Sequence, residues 1–113
     1  MDAEVVRRRA AKWTHARGWR QKLAKARPHE QSLFEHSLIE LYVLLELLPI
    51  LASPRHCSLS AAEEIILVVA VLVHDAGKET DAWQAYIHDP RPDRWVPHVI
   101  PELTRAVVPE ICA

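Results

Sequence analysis

Residues 60–78 read SAAEEIILVVAVLVHDAGK, and this stretch decides the fold class. Ser60 followed by Glu63 is the capping-box pattern that begins a helix, and an apolar run from Ile65 to Val73 comes directly after it. The run is rich in β-branched residues, so a buried strand is the rival interpretation, but the capping pattern favours a helix surrounded by other helices. About nine apolar residues are too few to span a bilayer, so no membrane segment is expected.

A second apolar segment precedes this one and begins in the same way. Ser32 and Glu35 repeat the capping-box pattern ahead of a long predicted helix. Its apolar residues are Leu33, Phe34, Leu38, Leu41, Tyr42, Leu45 and Leu48. Pro49 is expected to disturb or end the helix, and residues 52–59 have the composition of a loop. Two helices joined by a short loop are expected to pack as an antiparallel pair.

The flanking regions predict shorter elements. Residues 4–26 are interpreted as one amphipathic helix, or two short ones broken near Gly18, followed by a turn at Pro28. A short helix is expected over residues 80–87, then a proline-rich loop over residues 89–97. A last helix is expected over residues 101–108, where Pro109 would stop or kink it.

Length and composition limit the class of protein. The chain has 113 residues, of which 50% are hydrophobic, enough for one modest core. Only two glycines are present, which favours an all-α fold, divided here into a basic N-terminal helical arm (1–30) and a helical domain (31–113). Cys57 and Cys112 form no CxxC pair, and no secretory signal opens the chain, so a reducing, cytoplasmic location is expected.

Charge is distributed unevenly along the chain. The net charge is −1, yet residues 1–27 hold nine Lys or Arg residues against Asp2 and Glu4, about +7 in all. The remainder is correspondingly acidic, which suits a cation site better than a phosphate-coated surface. The basic arm could contact nucleic acid; the alternative is an ordinary solvated helix with Trp13 and Trp19 packed on the core.

His74 and Asp75 are polar residues at the end of an apolar helix, and this position needs an explanation. Burying an imidazole and a carboxylate together is costly unless they are paired, hydrogen-bonded or bound to a metal. Gly77 is expected to adopt a left-handed conformation that ends the helix and lets both side chains face one site. Lys78 follows, where its ammonium could meet a phosphate oxygen.

A metal ion needs more than two protein ligands, and His36 is the best candidate for a third. In an antiparallel helix pair, His36 near the start of the first helix comes level with His74 near the end of the second. Imidazole nitrogen and carboxylate oxygen together suit several divalent ions, Mn, Fe, Co, Ni or Zn among them. Purely structural roles are the alternatives: a hydrogen-bonded core histidine at 36, a helix-capping pair at 74 and 75, and a solvated lysine at 78.

The strings SLFEH (32–36) and HDAGK (74–78), followed by Trp83-Gln84, resemble the HD superfamily of metal-dependent phosphohydrolases. Within that superfamily they look most like the HD nucleases of CRISPR antiviral systems. QSLFEHSL and HVIPEL are similar to the HD domain of the type I-D large subunit, and HDAGKETDAWQAY is equally similar to the type I nuclease-helicase. The resemblance covers roughly residues 31–86.

The resemblance implies an HD-like helical bundle and a role for each matched residue. His36, His74 and Asp75 would bind one or two divalent ions (Mn, Ni, Co, Fe, Zn or Mg), and Asp75 and Lys78 would be catalytic, Lys78 by holding phosphate. The family's later ligands, further His residues and a final Asp, have no clear match after His98 and Asp93. His88, Asp89, Asp93 and His98 are candidate substitutes, and we expect a bundle incomplete at its C-terminus.

The expected function is metal-dependent hydrolysis of phosphodiesters, with single-stranded DNA as substrate and other CRISPR effector subunits as partners. A bound divalent ion lowers the pKa of water and polarises a phosphoryl oxygen, which supports hydrolysis of either a polymer or a small nucleotide. The alternative is a non-catalytic HD-type helical module that binds a protein or nucleotide. Metal content and the effect of His74→Ala distinguish these readings.

Overall fold

The two predicted apolar helices form the centre of an all-α protein. The structure, a computed structural model, describes residues 1–51, 53, 59–89 and 109–111. Helix α2 spans Leu33–Leu51 and helix α3 spans Ala61–Val73. The predicted helix over 101–108, and most of the loops predicted over 52–59 and 89–97, lie outside the described residues.

The start of each central helix is fixed by the predicted cap. The Ser32 hydroxyl accepts a hydrogen bond from the Glu35 amide at 3.0 Å. Ser60 and Glu63 form a complete, reciprocal capping box at the start of α3. The helical interpretation of residues 65–73 is therefore confirmed, and the rival strand is wrong. Pro49 lies inside α2, which ends two residues later.

Helices α2 and α3 bury one face each against the other and against the N-terminal region. Buried core residues on these helices are Leu33, Leu38, Leu41, Leu45, Leu48, Val68, Val69, Leu72 and Val73. On the other side of α3, Ile66 is 64% exposed and Ala70 is also exposed. Within the described residues, α3 is therefore not enclosed on all sides as its apolar sequence predicts.

The basic N-terminal region contains one helix and half of a short hairpin. Helix α1 spans Ala3–Ala16, and the Asp2 carboxylate accepts hydrogen bonds from two amides of its first turn. Gly18 adopts a left-handed conformation (φ 76°) and ends the helix near the predicted break. A 3-10 turn (Trp19–Gln21) and strand β1 (Leu23–Lys25) follow, and β1 pairs antiparallel with β2 (Gln31–Ser32). The predicted continuation of helix to residue 26 is wrong.

The N-terminal arm shares the core of the rest of the protein. Val6, Ala10, Trp19 and Ala24 are buried in the same cluster as the residues of α2 and α3. The rings of Trp13 and Trp19 pack edge to face with their centroids 5.4 Å apart. The prediction that these tryptophans pack on the core is confirmed, and the division at residue 30 stays a prediction.

A tight turn, not a left-handed glycine, follows α3. Residues Ala76–Glu79 form a 3-10 turn that includes Gly77, and Gly77 does not adopt the left-handed conformation that the sequence suggested. The tighter winding of a 3-10 turn redirects the chain without a positive φ angle. Helix α4 (Asp81–His88) then begins where predicted, with the Thr80 hydroxyl accepting from the Trp83 amide. None of the described helices is long and apolar enough to cross a membrane.

Two side chains tie this turn to the N-terminal region. Glu79 accepts hydrogen bonds from the Arg17 guanidinium and from the Trp19 indole N–H, the latter at 2.8 Å. The Gln84 amide group bonds both backbone groups of Leu23 (3.0 and 2.9 Å) and donates to the Lys78 carbonyl at 2.7 Å. The backbone that carries Asp75 and Lys78 is therefore held from two directions.

Glu79→Gln is expected to destabilise the protein by about 1–3 kcal/mol, because charged hydrogen bonds to Arg17 and Trp19 become neutral or are lost. Partial burial raises the pKa of Glu79, but the hydrogen bonds from Arg17 and Trp19 and the nearby positive charge outweigh this and lower it. The folded-state pKa is thus below the ordinary glutamate value of about 4.3. The stabilisation is present above that value and is lost as pH falls through the lowered pKa.

Chemical denaturation of wild type and Glu79→Gln between pH 7 and pH 2.5 measures this difference. Glu46→Gln is the matched control, since the Glu46 side chain is 78% exposed and lies 3.9 Å from its nearest cation, Arg7. A gap between wild type and Glu79→Gln that stays constant down to pH 2.5 would contradict the ionic role of Glu79.

Candidate metal centre

Four side chains converge where the start of α2 meets the end of α3. His36 and Glu40 come from α2, while His74 and Asp75 directly follow α3. One ligand atom from each of these residues lies within 4.8 Å of the other three. The group could hold a metal ion, and the structure places the three predicted ligands together and adds Glu40.

Each imidazole contacts both carboxylates through the same ring nitrogen. Nε2 of His36 lies 3.0 Å from a Glu40 oxygen and 3.1 Å from Oδ2 of Asp75. Nε2 of His74 lies 3.0 Å from the other Glu40 oxygen and 3.3 Å from Oδ2 of Asp75. The two imidazole nitrogens therefore face a common space bounded by two carboxylates.

The opposite ring nitrogens each face an oxygen atom, and this favours a proton on Nδ1 of both rings. Nδ1 of His74 lies 2.6 Å from the Val71 carbonyl, which can only accept a hydrogen bond, so Nδ1 carries a proton. Nδ1 of His36 lies 3.1 Å from Oε1 of Gln31, which accepts a hydrogen bond when the ring carries its proton on Nδ1. In neutral imidazoles Nε2 then presents a lone pair, the form that binds metals.

This arrangement of neutral rings is unfavourable without a positive charge among them. Imidazole lone pairs at 3.0–3.3 Å from carboxylate oxygens repel them, since neither atom has a proton to share. Either a second proton on each ring or a cation between the four groups removes the repulsion. Two imidazoles and two carboxylates are donors suited to a divalent transition metal.

The distances between the nitrogen and oxygen atoms are compatible with a bound cation. Metal–ligand bonds of about 2.0–2.2 Å separate neighbouring ligand atoms by roughly 2.8–3.6 Å in octahedral or tetrahedral sites. The four nitrogen–oxygen contacts fall at 3.0–3.3 Å, within this range, and all the ligand atoms lie within 4.8 Å of one another. His74 has 43% of its side chain exposed and Glu40 35%, which leaves the group accessible from solvent.

Lys78 completes the electrostatics of the site. Its ammonium lies 3.1 Å from Oδ2 of Asp75 and 5.1 Å from the centre of the Trp83 ring, with only 11% of the side chain exposed. Partial burial raises the pKa of Asp75, but the hydrogen bond from Lys78 and the charge interactions with His74 and Lys78 outweigh it and lower that pKa. Asp75 is therefore held as a carboxylate.

The other residues that the sequence singled out lie in different surroundings. The alternative of a solvated charge at Lys78 is wrong, since the side chain is buried against Asp75. The expected phosphate-binding role of Lys78 stays a prediction. His15 and His29 are exposed and lie outside the group, and so do His88 and Asp89, two of the candidate substitute ligands. His56, Asp93 and His98 lie outside the described residues.

Two contributors were missed from the sequence. Glu40 follows His36 by four residues, a spacing that places both on one face of a helix, and this signal was available. Gln31 bonds His36 from the short hairpin, which was not predicted. Its role could be recognised only from the three-dimensional arrangement.

No family model, curated protein or solved structure matches this chain. The likeness to HD phosphohydrolases therefore depends on the chain's own residues: the histidine at 36, the pair at 74 and 75, and the lysine at 78. The geometry of these four residues can be tested directly, independently of any relationship.

Glu40→Gln is expected to weaken binding of Co²⁺ at least about 100-fold, because removing a ligand should cost no less than removing an outer-shell partner. Titration followed by the visible absorption of bound Co²⁺ measures both affinity and coordination. Glu46→Gln, six residues further along the same helix, is the matched control. Unchanged Co²⁺ affinity and spectrum in Glu40→Gln would show that Glu40 is not a ligand.

Gln31→Ala is expected to weaken Co²⁺ binding about 10- to 100-fold, since Gln31 fixes the tautomer and orientation of His36. Gln21→Ala is the control because Gln21 is exposed and has no contact with the group. Isothermal titration calorimetry with both variants gives the comparison. Equal affinities for the two would argue against an orienting role for Gln31.

Proposed function

We propose that this chain is a metal-dependent phosphohydrolase of HD type, a nuclease that acts on single-stranded DNA. The observation that carries the proposal is the meeting of two Nε2 atoms and two carboxylates, with both Nδ1 atoms already hydrogen-bonded. A divalent ion held there would lower the pKa of a coordinated water and polarise a phosphoryl oxygen.

The net charge of the site is the sum of the charges of the protein groups and of the bound ion. Glu40 and Asp75 bring two negative charges, Lys78 brings one positive charge, and the histidines are neutral in the ligand form. Adding a divalent ion makes the group positive by one unit, and a phosphodiester carries one negative charge. The loaded site would therefore attract its substrate, whereas the protein groups alone would repel it.

The residues of the chain have distinct parts in this proposal. His36, His74, Asp75 and Glu40 would hold the ion, and Asp75 is kept ionised for this purpose by Lys78. Lys78 is also close enough to the group to contact a phosphate through its small exposed part. The exposed edge formed by His74 and Glu40 is the side from which a substrate would approach.

Polymer and small nucleotide are both compatible with an open, solvent-facing site. The positive charge of residues 1–27 favours a polymer, because every additional phosphate adds attraction to a basic surface. The resemblance to CRISPR HD nucleases favours single-stranded DNA, with effector subunits of that system as partners. These assignments remain parts of the proposal.

Hydrolysis of a labelled single-stranded DNA by the full chain in Mn²⁺ tests the function. Cleavage should disappear with a chelator and fall at least about 100-fold in His74→Ala, since several kcal/mol of metal-dependent stabilisation would be lost. His29→Ala is the control, because His29 is exposed and outside the group. Thermal melting of each variant checks that it is folded.

Three outcomes would overturn the proposal in different ways. Cleavage of mononucleotides but not of DNA would make the protein a small-nucleotide phosphohydrolase. Stoichiometric metal binding without hydrolysis of either substrate would favour the non-catalytic module. Cleavage unaffected by His74→Ala would exclude this group as the active site.

A further inference from the structure

A second feature of the structure lies on the neighbouring face of α2, outside the candidate metal centre. It is a groove of about 520 Å³ between α2 and the end of the N-terminal region, here called the Arg–aromatic groove. Its lining residues are Ala11, Arg20, Ser32, Phe34, Glu35, Leu38, Ile39 and Tyr42. Aromatic rings from one helix and basic residues from the arm meet here.

Each aromatic ring of the groove is covered by an arginine. The Arg20 guanidinium lies 3.8 Å from the centre of the Phe34 ring, and the Arg7 guanidinium lies 5.2 Å from the centre of the Tyr42 ring. Arg20 is exposed, and its Nε atom donates to Nδ1 of His15 at 3.0 Å. A planar guanidinium that rests on a ring presents its outer face to solvent, and nucleobases stack on such planes.

Arg7 has hydrogen-bonding capacity that the described residues do not use. Its Nε atom is buried and has no hydrogen-bond partner among them. The nearest carboxylate, Glu46, lies 3.9 Å from another nitrogen of Arg7, beyond normal hydrogen-bond distance. A ligand cannot reach the buried Nε atom, but 35% of the Arg7 side chain is exposed, and its terminal nitrogens can donate to a phosphate oxygen.

Further positive charge borders the groove on the arm. Arg8 and Lys12 are exposed and stand one turn apart on α1, in the row next to Arg7 and Ala11. Arg9 is also exposed, but it lines a different hollow on the far side of α1. Ala11 lines the groove, Arg9 lines the other hollow, and Arg8 and Lys12 lie on the exposed row between them.

The groove is continuous with the surface that leads to the metal centre. Ile39 lines the Arg–aromatic groove and also an apolar hollow bordered by Glu40 and His74. A ligand in the groove would therefore need to cross only one side chain of α2 to reach that hollow. A single strand can place a base in one and a phosphate near the other.

We propose that the Arg–aromatic groove binds single-stranded DNA, with one base stacked on the Arg20–Phe34 pair and the backbone phosphates contacted by Arg7, Arg8 and Lys12. This inference rests on the proposed function, since it assigns the surface on which that substrate is held. The cation–π contact holds each guanidinium flat on its ring and leaves the outer face of Arg20 for a base, and the basic row beside the groove supplies charge for phosphate contacts.

Binding of a fluorescein-labelled dT12 oligonucleotide to the full chain, followed by anisotropy in a chelating buffer, tests the groove without cleavage. Arg20→Ala should weaken binding at least fivefold, because one stacked base and one charge contact are lost. Arg20→Lys should restore less than half of that loss on a logarithmic scale, since lysine keeps the charge but not the plane. Arg8→Ala should reduce the salt dependence by about one phosphate contact.

Arg9→Ala is the matched control for Arg8→Ala, because it removes the same charge from α1 at a residue that lines a different hollow. It should weaken binding by less than a factor of two. Equal losses in Arg9→Ala and Arg20→Ala would reduce the effect to net charge and overturn the proposal. Tighter binding of an acidic peptide than of dT12, with the same dependence on Arg20, would assign the groove to a protein partner and also overturn it.

The groove and the nuclease activity can be rejected independently of each other. If the variants change dT12 binding as expected but Mn²⁺ gives no cleavage, the groove stands and the nuclease activity does not. If wild type cleaves DNA while Arg20→Ala leaves both binding and cleavage unchanged, the metal centre stands and the groove is rejected.

Discussion

The site at the contact between α2 and α3 depends on the repulsion between two imidazole nitrogens and two carboxylates. Their electron pairs face one another, and a positive charge is needed to relieve the repulsion. The tautomers are set from outside, by the Val71 carbonyl and the Gln31 side chain. With Nδ1 protonated on both rings, the space between the Nε2 atoms is the natural position for a cation. A metal ion or additional protons would each stabilise the same contact between helices.

The rest of the molecule can be understood as support for that contact. Asp75 lies at the junction of α3 and a 3-10 turn, and this turn is fixed at its far end by Glu79 and on its outer side by Gln84. Both supports lead to the N-terminal region, through Trp19 and Leu23. The N-terminal arm therefore supports the site: Trp19 is buried in the core and hydrogen-bonds Glu79, which holds the turn that follows Asp75.

The sequence predicted the helices well where local chemistry controls them. Serine and glutamate spaced by three residues located the beginning of α2 and α3, because capping satisfies amides that are exposed at any helix start. The three ligands His36, His74 and Asp75 were also found, since polar residues beside long apolar runs are conspicuous.

The features that could not be predicted from the sequence depend on contacts between residues far apart in the chain. The hairpin at residues 23–32 is stabilised by the Gln84 side chain, more than fifty residues away, and no local pattern indicates it. Lys78 looks like a surface lysine until Asp75 and Trp83 are seen around it. Gly77 was given a left-handed conformation on the strength of its residue type, whereas the 3-10 turn accommodates it without one.

Helix α2 connects the metal centre to the Arg–aromatic groove through its periodicity. Leu41, Leu45 and Leu48 form the buried row, and Phe34 lies at the N-terminal end of this row. His36 and Glu40 lie on one side of it and Tyr42 on the other. In a helix of 3.6 residues per turn these rows are neighbours, so one rigid element sets the distances between core, ligands and rings. A shift of α2 by one residue would turn each row by about 100° and would separate His36 from Asp75 as it moved Phe34 away from Arg20. The caps and the leucine row that hold α2 in register therefore determine both surfaces together.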